Sequence, residues 1–209
     1  LVLPSKTVLE APGLARLINR AVETFELSAD TRIGVQHINR PPGMDSQDFS
    51  LLQRALEPHL SRAWEDMCDP HGNLFKFRHD TYVKIWHLSG PRISVGDYLM
   101  VDEAQDMTPV FRAILQLQTH MQQMWVGDPN QSIYAYRGAI NALEGQNPDV
   151  TLTLTQSFRY GQAVADEANK WLELLGADFR LRGHPAMDSV VHDGDLDQAD
   201  AVLVRPNAG

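Results

Sequence analysis

Two acidic side chains, Asp102 and Glu103, directly follow a short apolar segment, and their position suits metal-dependent chemistry. They open the string Asp102-Glu-Ala-Gln-Asp106, after Tyr98-Leu-Met-Val101. A carboxylate at a strand end is a suitable hard ligand for Mg²⁺, which takes only one or two protein carboxylates. Phosphoryl transfer to water also needs a group that activates or positions the nucleophile. We therefore expect Asp102 to face the metal and Glu103 the water, although an apolar run followed by Asp-Glu is common and is weak evidence alone.

A second segment, Gly127-Asp-Pro-Asn-Gln-Ser-Ile-Tyr-Ala-Tyr-Arg-Gly138, follows the next apolar run. Gln131 is a neutral donor and acceptor, suited to a terminal phosphate or an attacking water. Tyr134 and Tyr136 offer ring faces on which bases stack at ~1–3 kcal/mol each. Arg137 would bridge carboxylates or phosphate. The alternative is a loop whose tyrosines pack into the core and whose arginine makes a structural ion pair.

A third candidate, Arg159, ends the string Thr155-Gln-Ser-Phe-Arg159. An arginine after a strand of such a sheet would reach a γ-phosphate and stabilise the charge that develops on it. The alternative is a surface arginine at the start of a helix.

The elements that position these residues differ between the two halves of the chain. Residues 7–92 are predicted to be helical, with capping-box spacing at Thr7-Val-Leu-Glu10. A second helical run is interrupted at Pro58, where we expect a kink or break. A short helix from Thr81 to Leu88 is predicted to turn three apolar side chains inward, namely Tyr82, Ile85 and Trp86.

From about residue 93, short apolar runs alternate with helical ones. The predicted strands are 98–102, 123–127, 150–154 and 201–204. Helices are predicted from Thr108-Pro109 through Leu117 and from Val164 to Gly176. Apolar strands separated by helices indicate α/β architecture, with a parallel sheet buried on both faces. Ligands of such sheets bind at the carboxyl ends of the strands, where both acidic segments lie.

Composition sets outer limits on function. Residues 1–92 hold 11 basic and 11 acidic side chains and residues 93–209 hold 7 and 16, so the net charge of −9 lies wholly in the second part. This acidity argues against coating nucleic acid by charge alone, but it allows a groove that grips one strand by stacking and a few cations. The sequence has no secretory signal, no apolar run long enough for a transmembrane helix, and one cysteine, Cys68. We expect no membrane association and a reducing setting: cytoplasmic and nucleoid-associated if bacterial, nuclear if eukaryotic.

Taken in order, the three motifs resemble motifs II, III and IV of UvrD/Rep-type superfamily 1 DNA helicases. The stretch His79-Asp-Thr-Tyr-Val-Lys-Ile-Trp-His-Leu-Ser-Gly-Pro91 and the stretch Leu154-Thr-Gln-Ser-Phe-Arg-Tyr-Gly161 resemble the F-box DNA helicase subgroup in particular. No F-box is visible, so a bacterial or phage relative is expected.

The resemblance implies an enzyme that hydrolyses ATP with Mg²⁺ and moves 3′ to 5′ on single-stranded DNA. Asp102 would bind Mg²⁺, Glu103 would activate water, and Gln131 and Arg159 would contact the γ-phosphate. Single-stranded DNA would meet the three residues Tyr134, Tyr136 and Arg137. Relatives often carry tryptophan at the position of Tyr136.

The resemblance also implies a domain layout built on a partial P-loop NTPase (RecA-like) parallel sheet. Residues 1–92 would be a mostly helical inserted subdomain, and 93–190 the later part of the first RecA-like domain. Residues 191–209 would be a linker and the start of the second.

One departure from the family changes the expected activity. The sequence holds no GxxxxGK[ST], and therefore no phosphate-cradling loop. We expect the chain to be the middle of a longer helicase, to need the missing helicase domains of the same protein, and to be inactive alone. Two alternatives remain: a non-enzymatic remnant or interaction module that kept the fold, and the helicase part of a helicase–nuclease.

Overall fold

The computed structural model describes residues 1–194 and residue 201, apart from the side chain of Arg137. The chain divides into two compact units, Leu1–Asn147 and Pro148–Gly209, and each is described by itself. Of the predicted final strand, residues 202–204 lie outside the described residues. The predicted boundaries at residues 92 and 190 stay predictions.

Three helices form the first part of the first unit: α1 (Ala11–Leu27), α2 (Ser46–Cys68) and α3 (His79–Leu88). The apolar positions of α1 and α2 recur every three or four residues, so each of these two helices presents one apolar face to its neighbours. The main cluster joins α1 to α2 through a set of fully buried residues: Ala21, Ile38, Leu52, Leu56 and Leu60.

One local prediction for these helices was wrong, and of the kink or break expected at Pro58 the break does not occur. The predicted capping box at residues 7–10 does not form, because α1 begins at Ala11, with Glu10 at the N-cap and proline in the first turn. The second helix does not break at Pro58, since α2 continues to Cys68. The buried leucines on both sides of Pro58 hold the helix together through packing, which offsets the local cost of the missing backbone donor.

The predicted inward face of α3 was also wrong. Tyr82, Ile85 and Trp86 are exposed, whereas the buried face carries the polar residues Thr81, Lys84 and His87. The reason is a polar cluster around a buried carboxylate, that of Glu26. Its carboxylate accepts hydrogen bonds from the Arg78 guanidinium, at 2.7 and 3.1 Å, and from the Thr81 hydroxyl. A buried charge needs such partners, so they orient the helix.

Lys84 holds the chain segment that leaves α1. Its Nζ donates to the backbone carbonyl of Ser28 at 2.9 Å and to that of Asp30, and lies 4.0 Å from the centre of the Phe25 ring. Burial lowers the pKa of Lys84 to about 8, against the smaller opposing effects of Asp30 and Glu26. The ammonium is therefore easier to deprotonate in the folded chain than in the unfolded chain.

This shift predicts an alkaline increase in stability. Between pH 8 and 10.5 the unfolded chain binds more protons at Lys84 than the folded chain does, so the free energy of unfolding rises with pH. We expect this rise in urea titrations of the unsubstituted chain and its loss in Lys84→Met. Lys76→Met, at an exposed lysine, is the control and should keep the rise. An identical pH profile in Lys84→Met and the unsubstituted chain would contradict the assignment.

A β–α–β unit follows the helices. Strands β1 (Tyr98–Val101) and β2 (Gln122–Trp125) are parallel, with Tyr98 opposite Gln122 and Val101 opposite Trp125, and α4 (Pro109–Gln116) connects them. The α/β prediction is confirmed by this unit, while the larger RecA-like sheet stays a prediction. The prediction that both faces of this sheet are buried was wrong. One face packs through Val101 on Ala104, Met107, Leu115 and Ala142, but Tyr98, Met100 and Met124 are exposed.

The second unit contains α5 (Gln162–Leu174). Gly176 terminates this helix as predicted, because its φ of 73° lets the amides of Gly176 and Ala177 bond back to Glu173 and Leu172. The predicted strand at 150–154 was wrong. These residues join no strand ladder, and Leu152 and Leu154 are about four-fifths exposed, at 83% and 77%. No helix among the described residues has the length and apolarity to cross a membrane.

Candidate nucleotide and nucleic-acid site

The two acidic segments meet at one edge of the sheet. Because β1 and β2 are parallel, their carboxyl ends lie side by side. Backbone hydrogen bonds continue the pairing past the strands: the Val126 amide donates to Val101 at 2.8 Å, and the Ala104 amide donates to Val126 at 2.9 Å. The structure therefore brings the segment after Asp102 next to the segment after Gly127, as the sequence predicted.

Glu103 has an unusual backbone. Its φ of 52° and ψ of 41° lie in the left-handed region, which costs a non-glycine residue about 1–2 kcal/mol. The neighbouring Asp102 carboxylate accepts a hydrogen bond from the Glu103 amide at 2.9 Å. Strained residues of this kind cluster at functional sites, where the surrounding structure holds them in place. This left-handed residue comes directly after the strand and Asp102, and the side chains of Asp102 and Glu103 are both exposed.

Gln105 fixes the Glu103 side chain, and it had no role in the sequence prediction. It is 1% exposed, and its Nε2 donates to Glu103 Oε2 at 2.6 Å. Its Oε1 accepts from the Asp128 amide at 3.1 Å, so one amide group binds both acidic segments. The signal for this role was present in the string Asp102-Glu-Ala-Gln-Asp106, where a neutral residue lies among acids.

Gly127 is required for this contact. A Cβ at this position would lie 2.5 Å from Gln105 Oε1 and 3.0 Å from the Ala104 amide nitrogen. Both distances are too short, so any side chain would push the two acidic segments apart. A second hydrogen bond, from Ser132 Oγ to the Gln105 carbonyl at 3.2 Å, closes the junction.

Gln131 lies in a short 3-10 turn, Pro129–Gln131, beside Asp128. The Asp128 side chain accepts from the Asn130 amide at 3.0 Å and from Gln131 Nε2 at 2.7 Å. The Gln131 side chain is exposed and carries an acceptor oxygen besides the bound amide nitrogen. Through Asp128 it is linked to Gln105, and through Gln105 to Glu103.

Tyr134 and Tyr136 follow directly. The Asp106 carboxylate accepts from the amides of Ile133 and Tyr134 at 3.2 and 3.3 Å, which ties this turn to the first acidic segment. The two rings are tilted by 45° with centroids 6.3 Å apart. Exposures of 41% for Tyr134 and 75% for Tyr136 do not fit the alternative in which both rings pack into the core. Arg137 ends a 3-10 turn, and its side chain lies outside what the structure describes.

Arg159 belongs to the second unit. It is exposed, lies three residues before the start of α5 at Gln162, and its amide donates to the Ser157 hydroxyl at 3.1 Å. The preceding Gln156 pairs with Arg182 in a parallel bridge, and its side chain donates to the Gly183 carbonyl at 2.8 Å. These bonds hold the turn that carries Arg159.

The residues at the strand ends are of a type that Mg²⁺ accepts as ligands. Asp102 and Glu103 provide exposed carboxylate oxygens. Among the described residues, no three His, Cys, Asp or Glu side chains come together as a metal cage. Mg²⁺ characteristically takes one or two carboxylates and completes its shell with water and substrate phosphates, which this arrangement permits.

Comparison with known proteins identifies related sequences. Residues 94–146 match the UvrD/REP helicase N-terminal domain, which includes both acidic segments and the tyrosines. F-box DNA helicase 1 of Gallus gallus is 42% identical over 157 residues, covering 72% of this chain and 15% of the relative.

Two further relatives have similar names. F-box DNA helicase protein 1 of Schizosaccharomyces pombe is 34% identical over 169 residues, covering 76% of this chain and 18% of the relative. A probable DNA helicase II homolog of Mycoplasma capricolum is 26% identical over 134 residues, covering 60% and 17%. The chain thus spans less than a fifth of the length of each of these relatives.

Proposed function

We propose that this chain, which belongs to the UvrD-type helicases of superfamily 1, carries the part of an ATP-dependent DNA translocase that joins hydrolysis to DNA contact. One observation carries the proposal: a continuous set of hydrogen bonds links the Glu103 carboxylate to the turn that bears the tyrosines. The substrate would be ATP with Mg²⁺, and the intact protein would move along single-stranded DNA in the 3′ to 5′ direction.

In this proposal the residues at the strand ends act on the nucleotide. Asp102 and the exposed oxygens beside it would hold Mg²⁺, which, when bound, neutralises charge on the phosphates. Glu103 would take the proton of the attacking water, and Gln105 keeps that carboxylate in one orientation. Gln131 would contact the γ-phosphate. Arg159 would stabilise the charge that develops on the same group.

The same bonds would transmit a change at the nucleotide to the DNA. Movement of Glu103 or Gln131 alters the bonds to Gln105 and Asp128, and Ser132 and Asp106 anchor the following turn to the same segment. Tyr134 and Tyr136 would stack on bases there, with Arg137 near the backbone. A shift of this turn would release one base and accept another.

DNA-stimulated ATP hydrolysis by the intact protein that contains this chain tests the proposal. We expect turnover that depends on Mg²⁺ and rises with single-stranded DNA. The 209-residue chain alone is expected to show no turnover, because it has no phosphate-cradling loop. A protein that binds neither ATP nor DNA would support the alternative of a non-enzymatic remnant.

Tyr134→Ala is expected to weaken binding to single-stranded DNA by ~1–3 kcal/mol, which is the contribution of one stacked base and corresponds to roughly five- to 150-fold in affinity. Fluorescence anisotropy with labelled oligodeoxythymidine measures this change. Tyr82→Ala is the matched control, since Tyr82 is an exposed tyrosine on α3. Equal affinities for Tyr134→Ala and the control would remove this ring from the DNA site.

A further inference from the structure

We infer that the groove between α1 and the turn bearing Tyr136 holds the backbone of single-stranded DNA, with Arg20 as its phosphate contact. The inference rests on the proposed function and extends it. It assigns a DNA-binding role to α1, a helix that carries no helicase motif and that the sequence analysis left without a function.

The groove has a volume of about 570 Å³, within the range of roughly 300–1,000 Å³ that binds small ligands. It therefore has room for a nucleotide-sized group. One wall comes from α1 and the segment after it, and the other from the turn after Tyr134. The lining residues that matter here are Arg20, Thr24, Leu27, Asn39, Tyr136 and Gly138.

Close packing sets the separation of the two walls. Gly138 has a φ of 80°, and a Cβ at this position would lie 3.2 Å from Leu27 Cδ1, so a glycine allows the turn to approach α1. On the helix side, Asn39 Nδ2 donates to Thr24 Oγ1 at 3.1 Å, which fixes a polar rim. Tyr136 is 75% exposed and thus presents its ring to an incoming base.

One cation of the groove can receive an anion. Two charged residues line the groove, Arg20 and Glu23, and Glu23 lies 2.8 Å from Arg78, a guanidinium that it shares with the buried Glu26. Arg20 is exposed, and within the described part of the chain it takes part in no ion pair or hydrogen bond through its guanidinium. The carbonyls at the end of α1, which would repel a phosphate, are partly neutralised by Lys84 Nζ on Ser28.

An exposed ring and an uncommitted guanidinium in one groove match single-stranded nucleic acid. Aromatic faces stack on bases without regard to sequence, and a nearby cation follows the phosphates. An acidic peptide would use the guanidinium but would gain little from the tyrosine. Single-stranded DNA is therefore the occupant that uses both walls.

The test measures the fluorescence anisotropy of a labelled oligodeoxythymidine as the chain is added, at several salt concentrations and without ATP. The oligonucleotide has about 16 nucleotides, which is the upper site size of one single-strand-binding fold. Loss of one phosphate contact should lower the slope of log affinity against log salt by about 0.7. We expect this lower slope for Arg20→Gln and an unchanged slope for Arg20→Lys, which keeps the charge. Tyr136→Ala is expected to bind the oligonucleotide more weakly. Arg62→Gln, at an exposed arginine of α2, is the matched control and should behave as the unsubstituted chain.

Several outcomes would overturn the inference. One is an unchanged slope and affinity in Arg20→Gln while Tyr136→Ala binds weakly, which leaves the proposed function intact. Another is no binding by the unsubstituted chain at low salt, since both walls lie within it. A third is equal competition by polyglutamate, which would indicate an acidic-peptide site. If the intact protein showed no ATP turnover while the binding results were as expected, the proposed function would be contradicted and the inference about the groove would not.

Discussion

Replacement of Glu103 by glutamine is expected to reduce ATP turnover of the intact protein by about 10²–10⁴-fold, the usual contribution of a general base. Nucleotide binding should be retained. The amide keeps nearly the same volume, and its oxygen still accepts the hydrogen bond that Gln105 donates at 2.6 Å. Glutamine also tolerates the left-handed backbone no worse than glutamate does, so the loop should keep its shape. Only the ability to take a proton is lost.

Steady-state hydrolysis and equilibrium binding of a fluorescent ATP analogue measure the two effects separately. Glu57→Gln, at an exposed glutamate of α2, makes the same chemical change away from the site and should leave both unchanged. Equal losses of binding and turnover in Glu103→Gln would mean that this residue holds the nucleotide or the fold and is not the base.

Gln105→Leu is expected to uncouple ATP hydrolysis from DNA binding. Leucine fills a similar volume but leaves the Asp128 amide and Glu103 without their shared partner. Each of the two lost hydrogen bonds contributes about 0.5–1.5 kcal/mol, so the free energy of unfolding should fall by about 1–3 kcal/mol. In addition, stimulation of ATP turnover by single-stranded DNA should be lost, because the bridge between the two acidic segments is removed.

Gln118→Leu provides the control for this prediction. Gln118 is also fully buried, and it donates to the carbonyls of Pro91 and Ile114 at the far end of α4. Its loss should destabilise the fold to a similar degree while the ratio of DNA-stimulated to basal turnover stays normal. A normal ratio in Gln105→Leu, measured on protein shown to be folded, would restrict that glutamine to a structural role.

The success of the sequence prediction varied with the range of the interactions involved. The helix start at Pro109 and the end of α5 at Gly176 were predicted because residues inside one turn decide them. The face of α3 was mispredicted, since apolar periodicity does not register the buried Glu26 that binds Thr81 or the backbone carbonyls that bind Lys84. The strand predicted at 150–154 failed because a strand forms only with a partner ladder, which these residues do not have.

The sequence by itself determined which groups are available for chemistry. Consecutive residues carry them, so Asp102, Glu103, Gln131 and the two tyrosines could be proposed from short strings, and the same strings indicated the helicase family. A short string can specify a catalytic group because the chemistry depends on residue type and on the immediate neighbours. The parallel pairing of β1 and β2 then followed from alternating strands and helices.

Only the tertiary structure decided how these groups are connected. The amide of Gln105 touches both acidic segments because the strand pairing brings their ends together and Gly127 leaves space for it. Arg20 lines the same groove as Tyr136 because Gly138 packs on Leu27. Such contacts join residues far apart in the chain and depend on packing of whole elements, which local periodicity and spacing do not encode.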